Sequence, residues 1–119
     1  LYVEVNQTSR KLTNRELYHV WRSGNCNSPV LGAKFLRLQK LLSNEELDFI
    51  ADKNLSGISL LSVALNLSNY VNEKTDKFLH DVIMWEAEYG TFVIRRAMYA
   101  KIKPDEIKAY IDQKLPMPY

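Results

Sequence analysis

Apolar residues recur at spacings of three and four along most of the chain, and polar breaks cut the pattern into successive amphipathic segments. The first opens at Leu12-Thr13-Asn14-Arg15-Glu16-Leu17, where Thr13 can cap, Glu16 completes a capping box and Leu12 can staple to Leu17. It carries Tyr18 and Trp21 and stops in the polar run from Arg22 to Asn27. Ser28-Pro29, a cap residue followed by proline at the first helical position, opens a second helix through Phe35, Leu38 and Leu42. A third repeats the grammar of the first: Ser43 caps, Glu46 closes the box, Leu42 staples to Leu47, and Asn54 and Gly57 signal the end.

From Ile58 to Val71 the apolar positions Ile58, Leu61, Val63, Leu65 and Leu67 spread around much of the cylinder, which predicts a helix buried on more than one side and joining two units. Another helix starts near Thr75-Asp76 and places Phe78, Leu79, Val82 and Trp85 on or near one stripe. Gly90 is expected to interrupt it, since glycine inside a helix costs about 1 kcal/mol relative to alanine, the alternative being one helix that continues through Gly90. Phe92, Ile94, Ala97 and Met98 define the next helix, and Pro104-Asp105-Glu106 opens the last, through Tyr110 and Ile111.

Shifting the third helix by sixty positions lays Leu47 on Ile107, Ile50 on Tyr110, Ala51 on Ile111 and Leu55 on Leu115. The pattern therefore predicts an all-α chain, a helical bundle of about six to seven helices built from two loosely repeated units. The units span 12–57 and 58–115, after an extended arm at 1–11 and before a tail at 116–119.

Charge adds little to this picture. The formal net charge is +2, and bases alternate with acids, as in Lys101, Lys103, Asp105, Glu106 and Lys108, so no cationic stripe tracks a phosphate backbone and nucleic acid is not an expected partner. Apolar runs are too short to span a bilayer. Cys26 stands alone and cannot form an intramolecular disulfide. The chain opens at Leu1, as expected of a processed protein, and Asn6, Asn54 and Asn66 begin matches to the glycosylation pattern.

Candidate chemistry is sparse. Asp81, Glu86 and Glu88 lie near Trp85, and paired carboxylates can supply acid and base groups for a small hydrolase. Their spacing does not place them around one cleft, and no phosphate loop, metal-ligand spacing or serine motif appears. The expectation is a non-catalytic protein without cofactor or metal.

The run from Tyr18 to Leu38 has an aromatic residue before a tryptophan, a short glycine-containing loop, Ser-Pro, and a helix ending Lys-Phe-Leu-Arg-Leu. It resembles the tryptophan part of the WY-domain fold of oomycete RXLR effectors, and the run from Met84 to Ile111 resembles the same plan more loosely. The resemblance implies Trp21 and Trp85 as fold anchors, with Tyr110 as the tyrosine partner. It also implies a secreted protein that binds a host protein inside the host cell and modulates immunity or signalling. A weaker resemblance, through Glu16 to Trp21, is to the PHIST domain of exported malaria-parasite proteins.

Faces opposite the apolar stripes supply candidate partner contacts: Arg37, Lys40 and Asp48 in the first unit, Glu86, Glu88, Arg95 and Arg96 in the second. In the arm, Tyr2 and Val5 flank an acid in the form of a peptide that adds as a β-strand to ubiquitin-like proteins. The rival reading is self-association, a homodimer formed through the helix at 58–71 or through Tyr99, Tyr110 and Tyr119.

Overall fold

A computed structural model describes residues 2–5 and 8–117, with side chains from Leu12 onward. Seven helices follow one another: α1 (Asn14–Arg22), α2 (Pro29–Leu41), α3 (Asn44–Asp52), α4 (Gly57–Val71), α5 (Asp76–Tyr89), α6 (Thr91–Tyr99) and α7 (Pro104–Asp112). The protein is an all-α helical bundle preceded by a folded arm. Instead of running on extended, the arm doubles back as an antiparallel hairpin of β1 (Tyr2–Val5) and β2 (Thr8–Lys11), in which Tyr2 faces Lys11 and Val5 faces Thr8. The two residues that join the strands are Asn6 and Gln7, which lack the Asn-Gly signature that announces a tight hairpin. The side chains of Tyr2 and Val5, and Tyr119 in the tail, lie outside the described residues.

The chain divides after Gly57 into two compact units. In the first, both anticipated capping boxes are made. Thr13 accepts from the Glu16 amide at 3.2 Å while Glu16 accepts from the Thr13 amide at 3.1 Å, and Ser43 and Glu46 exchange the same pair of bonds. These satisfy amides that a helix start otherwise leaves without partners. α3 packs against both α1 and α2. Tyr18, Phe35, Leu38, Leu42, Leu47, Ile50 and Ala51 are the buried side chains of these helices. At Gly57 a Cβ would stand 3.0 Å from a Leu38 methyl, a tight approach that a larger residue could take only if the Leu38 side chain shifted.

In the second unit α5 packs against α6 and α7. α4 buries Leu60, Leu61, Val63, Ala64, Leu67 and Ser68. At 100° per residue these six fall within roughly 160° of the cylinder. Ser59, Ser62, Asn66 and Asn69 are exposed on the other side, so α4 is buried over a broad face and not all round.

Five helices end alike. Gly24, Asn54, Asn72, Lys101 and Lys114 have positive φ and follow α1, α3, α4, α6 and α7. In each case the next residue's amide reaches back five positions, as Leu55 does to Ile50 and Leu115 to Tyr110. This is the Schellman closure, which satisfies the last carbonyls of a helix. The sixty-residue shift holds to the residue for this part of the chain, because α3 spans 44–52 with Asn54 left-handed and α7 spans 104–112 with Lys114 left-handed.

The repeat stops at the level of packing. In the first unit Arg15 faces Asp52 and Tyr18 and Arg22 reach back to Asp48, so α1 and α3 are antiparallel. In the second unit Glu73 pairs with Lys108 while Trp85 and Tyr89, later in the chain, reach Leu115 and Lys114, so α5 and α7 run in the same direction.

Candidate partner-binding face

α6 follows α5 after a single residue, Gly90, whose φ of 102° and ψ of 146° turn the chain at a position where a side chain would be strained. The helix then buries Ile94 and Ala97, with Val93 and Met98 half-buried beside them. That inner face fixes what points outward. Phe92, Arg95, Arg96 and Tyr99 are all exposed, and their spacing of three, four and seven makes them one stripe. Phe92 is 73% exposed and Tyr99 87%, the two highest values among the large exposed hydrophobic side chains. Phe92 is one of the four apolar residues that define this helix in the sequence, but two residues of helix rotate a side chain by about 200°, and burial of Ile94 sends Phe92 to solvent.

The turn that follows is held in place. Lys101 adopts φ 55°, its amide and that of Ile102 close on Met98 and Ala97, and the Tyr70 hydroxyl at the end of α4 donates to the Ile102 carbonyl at 2.8 Å. The stripe is thus carried by a short helix fixed at both ends. Scattered surface apolar residues are ordinary, but two aromatic rings about 10 Å apart along one helix with two arginines between them have the composition of an interface anchor.

The other expected contact residues are dispersed. Arg37 and Lys40 lie exposed on α2, the helix that also exposes Val30 and Leu36, and Glu88 is exposed on α5. Asp48 is already engaged: it accepts from the Tyr18 hydroxyl and from Arg22, both at 2.8 Å, and locks α1 to α3. Burial, and then the bond to Asp48, push the Tyr18 hydroxyl above its usual range, with Arg22 pulling the other way.

Glu86 cannot meet a partner. It is fully buried, and neither carboxylate oxygen has a hydrogen-bond partner. It continues the buried stripe of Leu79, Val82 and Ile83, a position where the helical period calls for an apolar residue. Burial pushes its carboxyl up to about 9, against the pull of the Arg95 charge, so it is neutral at pH 7.

Nor do the three acids near Trp85 meet. Asp81 lines a cleft of ≈ 240 Å³ with Glu73, Lys77, Phe78, Lys108 and Asp112, while Glu86 is in the interior and Glu88 on the surface. The His80 ring stands 3.0 Å from Asp81, and Lys108 forms an ion pair with Glu73.

Both expected anchors are structural, in different ways. Trp85 is 3% exposed, donates to the Leu115 carbonyl at 2.8 Å, and has the Tyr89 ring 5.0 Å away. Tyr110, expected as its partner, is half-buried on α7, and its carbonyl serves the Schellman closure. Trp21 is half-buried and stacks on Phe35 at 4.9 Å. Among the described residues no cluster of three or more His, Cys, Asp or Glu could hold a metal ion, and no helix is long and apolar enough to cross a membrane.

No family model matches the chain, and the comparisons with curated proteins and with solved structures give no match either.

Proposed function

We propose that this chain is a non-catalytic binding module that docks a partner protein on the outer face of α6. The observation that carries the reading is the stripe Phe92, Arg95, Arg96 and Tyr99, in which two large rings remain in water on a helix with a well-buried opposite face. Aromatic rings and arginine are the residues that most often dominate binding energy, and a rigid helix presents them at little entropic cost. The wider assignment, a secreted pathogen effector acting on a host protein, rests on the WY-like run from Tyr18 to Leu38.

The test is a paired capture experiment. A Phe92→Ala/Tyr99→Ala protein and an Arg37→Glu/Lys40→Glu protein, each with native circular dichroism and an unchanged melting temperature, are compared with the parent against extracts of candidate host cells. Loss of the captured partner with the α6 variant, and its retention with the α2 variant, is the expected result. Equal capture by all three proteins overturns the assignment of the face. Concentration-dependent dimerisation in light scattering, abolished by Tyr99→Ala, would make the partner a second copy of the chain.

A further inference from the structure

We propose that the α6 face takes an acidic segment of the partner protein, in which carboxylates pair with Arg95 and Arg96 and apolar side chains cover Phe92 and Tyr99; this deepens the docking reading and rests on it. Between Thr91 and Lys103 the chain holds the bases Arg95, Arg96, Lys101 and Lys103 and no acid. All four are exposed. In a protein whose net charge is only +2, that run concentrates positive charge in one place.

Three other bases are engaged internally: Arg15 faces Asp52, Arg22 pairs with Asp48 and Lys108 with Glu73. Lys34, Arg37 and Lys40 are exposed on α2, whose exposed apolar neighbours Val30 and Leu36 are aliphatic and not aromatic. Among the described residues no ion pair holds Arg95, Arg96, Lys101 or Lys103. Bases near a helix C-terminus also complement its dipole, a contribution of about 0.3–1 kcal/mol each. That effect accounts for a base in the last turn of α6 but not for exposed rings on the same stripe. Arginine's planar fork matches a carboxylate in two parallel hydrogen bonds, and a neighbouring apolar contact that excludes water strengthens such a pair.

The flanks decide between polyanions. Exposed Glu88 precedes the run, and exposed Asp105 and Glu106 follow it. A phosphate backbone or an anionic bilayer extends past a patch this short and meets those acids at both ends. A short acidic peptide segment fits between them.

The probes are a library of short peptides with half the positions fixed as Asp or Glu and the rest varied among apolar residues, and the same library with Asn and Gln at the fixed positions. A single-stranded oligouridylate and phosphatidylserine vesicles complete the set. The expected result is selection of acidic peptides whose binding weakens with added salt, falls at least tenfold in Arg95→Glu/Arg96→Glu, and survives Arg37→Glu/Lys40→Glu. Equal binding of the amide library, lost in Phe92→Ala/Tyr99→Ala, overturns the acidic partner and leaves the docking face standing. Preferential binding of the oligonucleotide or vesicles, or binding of no probe, also overturns it. Acidic peptides whose binding is indifferent to both α6 variants overturn the docking face itself.

Discussion

The two tryptophans show how far a repeated sequence can diverge in structure. Trp21 ends a helix antiparallel to α3, and Trp85 lies near the end of a helix parallel to α7. In the parallel pair the late residues of α5 lie beside the closing turn of α7, so the Trp85 indole can donate to the Leu115 carbonyl. In the antiparallel pair it is the start of α1 that meets the closing turn of α3, and that turn is held instead by Asn54, whose side chain accepts from the Arg15 amide at 3.0 Å. Trp21, at the far end, turns to Phe35 of α2. Helix direction, which local patterning does not encode, decides which tryptophan becomes a buried anchor.

The largest effect expected from this difference is on stability. Trp85→Ala removes a buried ring and leaves the Leu115 carbonyl without its donor, and should cost about 3–5 kcal/mol by the usual penalty for deleting a core aromatic. Trp21→Ala, at a half-buried site with one stacking neighbour, should cost roughly 1–2 kcal/mol. Urea denaturation of the two variants measures both, and equal losses would remove the distinction between the anchors.

The residues that follow the tryptophans diverge as sharply. Arg22 is exposed and binds Tyr18 and Asp48, whereas Glu86 is buried without a partner. The folded protein holds the Glu86 proton up to about 9, while the unfolded chain releases it near the ordinary value of 4.5. Stability contributed by this group is therefore full below pH 4.5 and declines as pH rises toward 9. The part lost between pH 4.5 and 7 is about 3 kcal/mol, taking 1.36 kcal/mol per unit. Glu86→Gln should flatten that slope, and Glu86→Leu should raise stability at pH 8. A pH-stability profile unchanged by either substitution would mean that the carboxyl finds a partner in solution.

Disrupting the lock of the first unit should matter less. Asp48→Asn keeps an acceptor for the Tyr18 hydroxyl but removes the charge facing Arg22, for an expected loss of about 1 kcal/mol at a site open to solvent. Asp48→Ala should cost more, because it leaves a buried tyrosine's hydroxyl without that acceptor. Thermal melts at low and high salt separate the two, since only the charge contribution is screened.

Helix positions were legible because the chain marks them with local chemistry: Thr13 with Glu16, Ser43 with Glu46, proline at Pro29 and Pro104, and Gly90 between α5 and α6. Burial was legible wherever the period was unmixed. It failed at Glu86, read as a surface charge because glutamate usually is one, although its place seven after Leu79 on a buried stripe was a usable signal. Phe92, one of the apolar residues that define α6 in the sequence with Ile94, Ala97 and Met98, lies on the exposed side of that helix. The seven-residue spacing of Phe92 and Tyr99 around two arginines was available in the sequence, but reading it as a surface needed the opposite face to be assigned first. The hairpin of the arm was hidden for another reason, since the sequence between its strands, Asn6-Gln7, carries no strong hairpin signature.

The smallest expected effect returns to the part of the repeat that does hold. Asn54 and Lys114 occupy the same left-handed position, each with φ 55°. For a side chain other than glycine or asparagine that conformation costs roughly 1–2 kcal/mol, so Lys114→Gly should stabilise by up to about 1 kcal/mol after the added freedom of the unfolded chain is counted. Asn54→Gly relieves less strain and removes the acceptor that holds the Arg15 amide, so it should be neutral or slightly destabilising. Opposite signs for two substitutions at equivalent positions would show that α3 and α7 share a closing motif while the helices packed on them give its first residue different work.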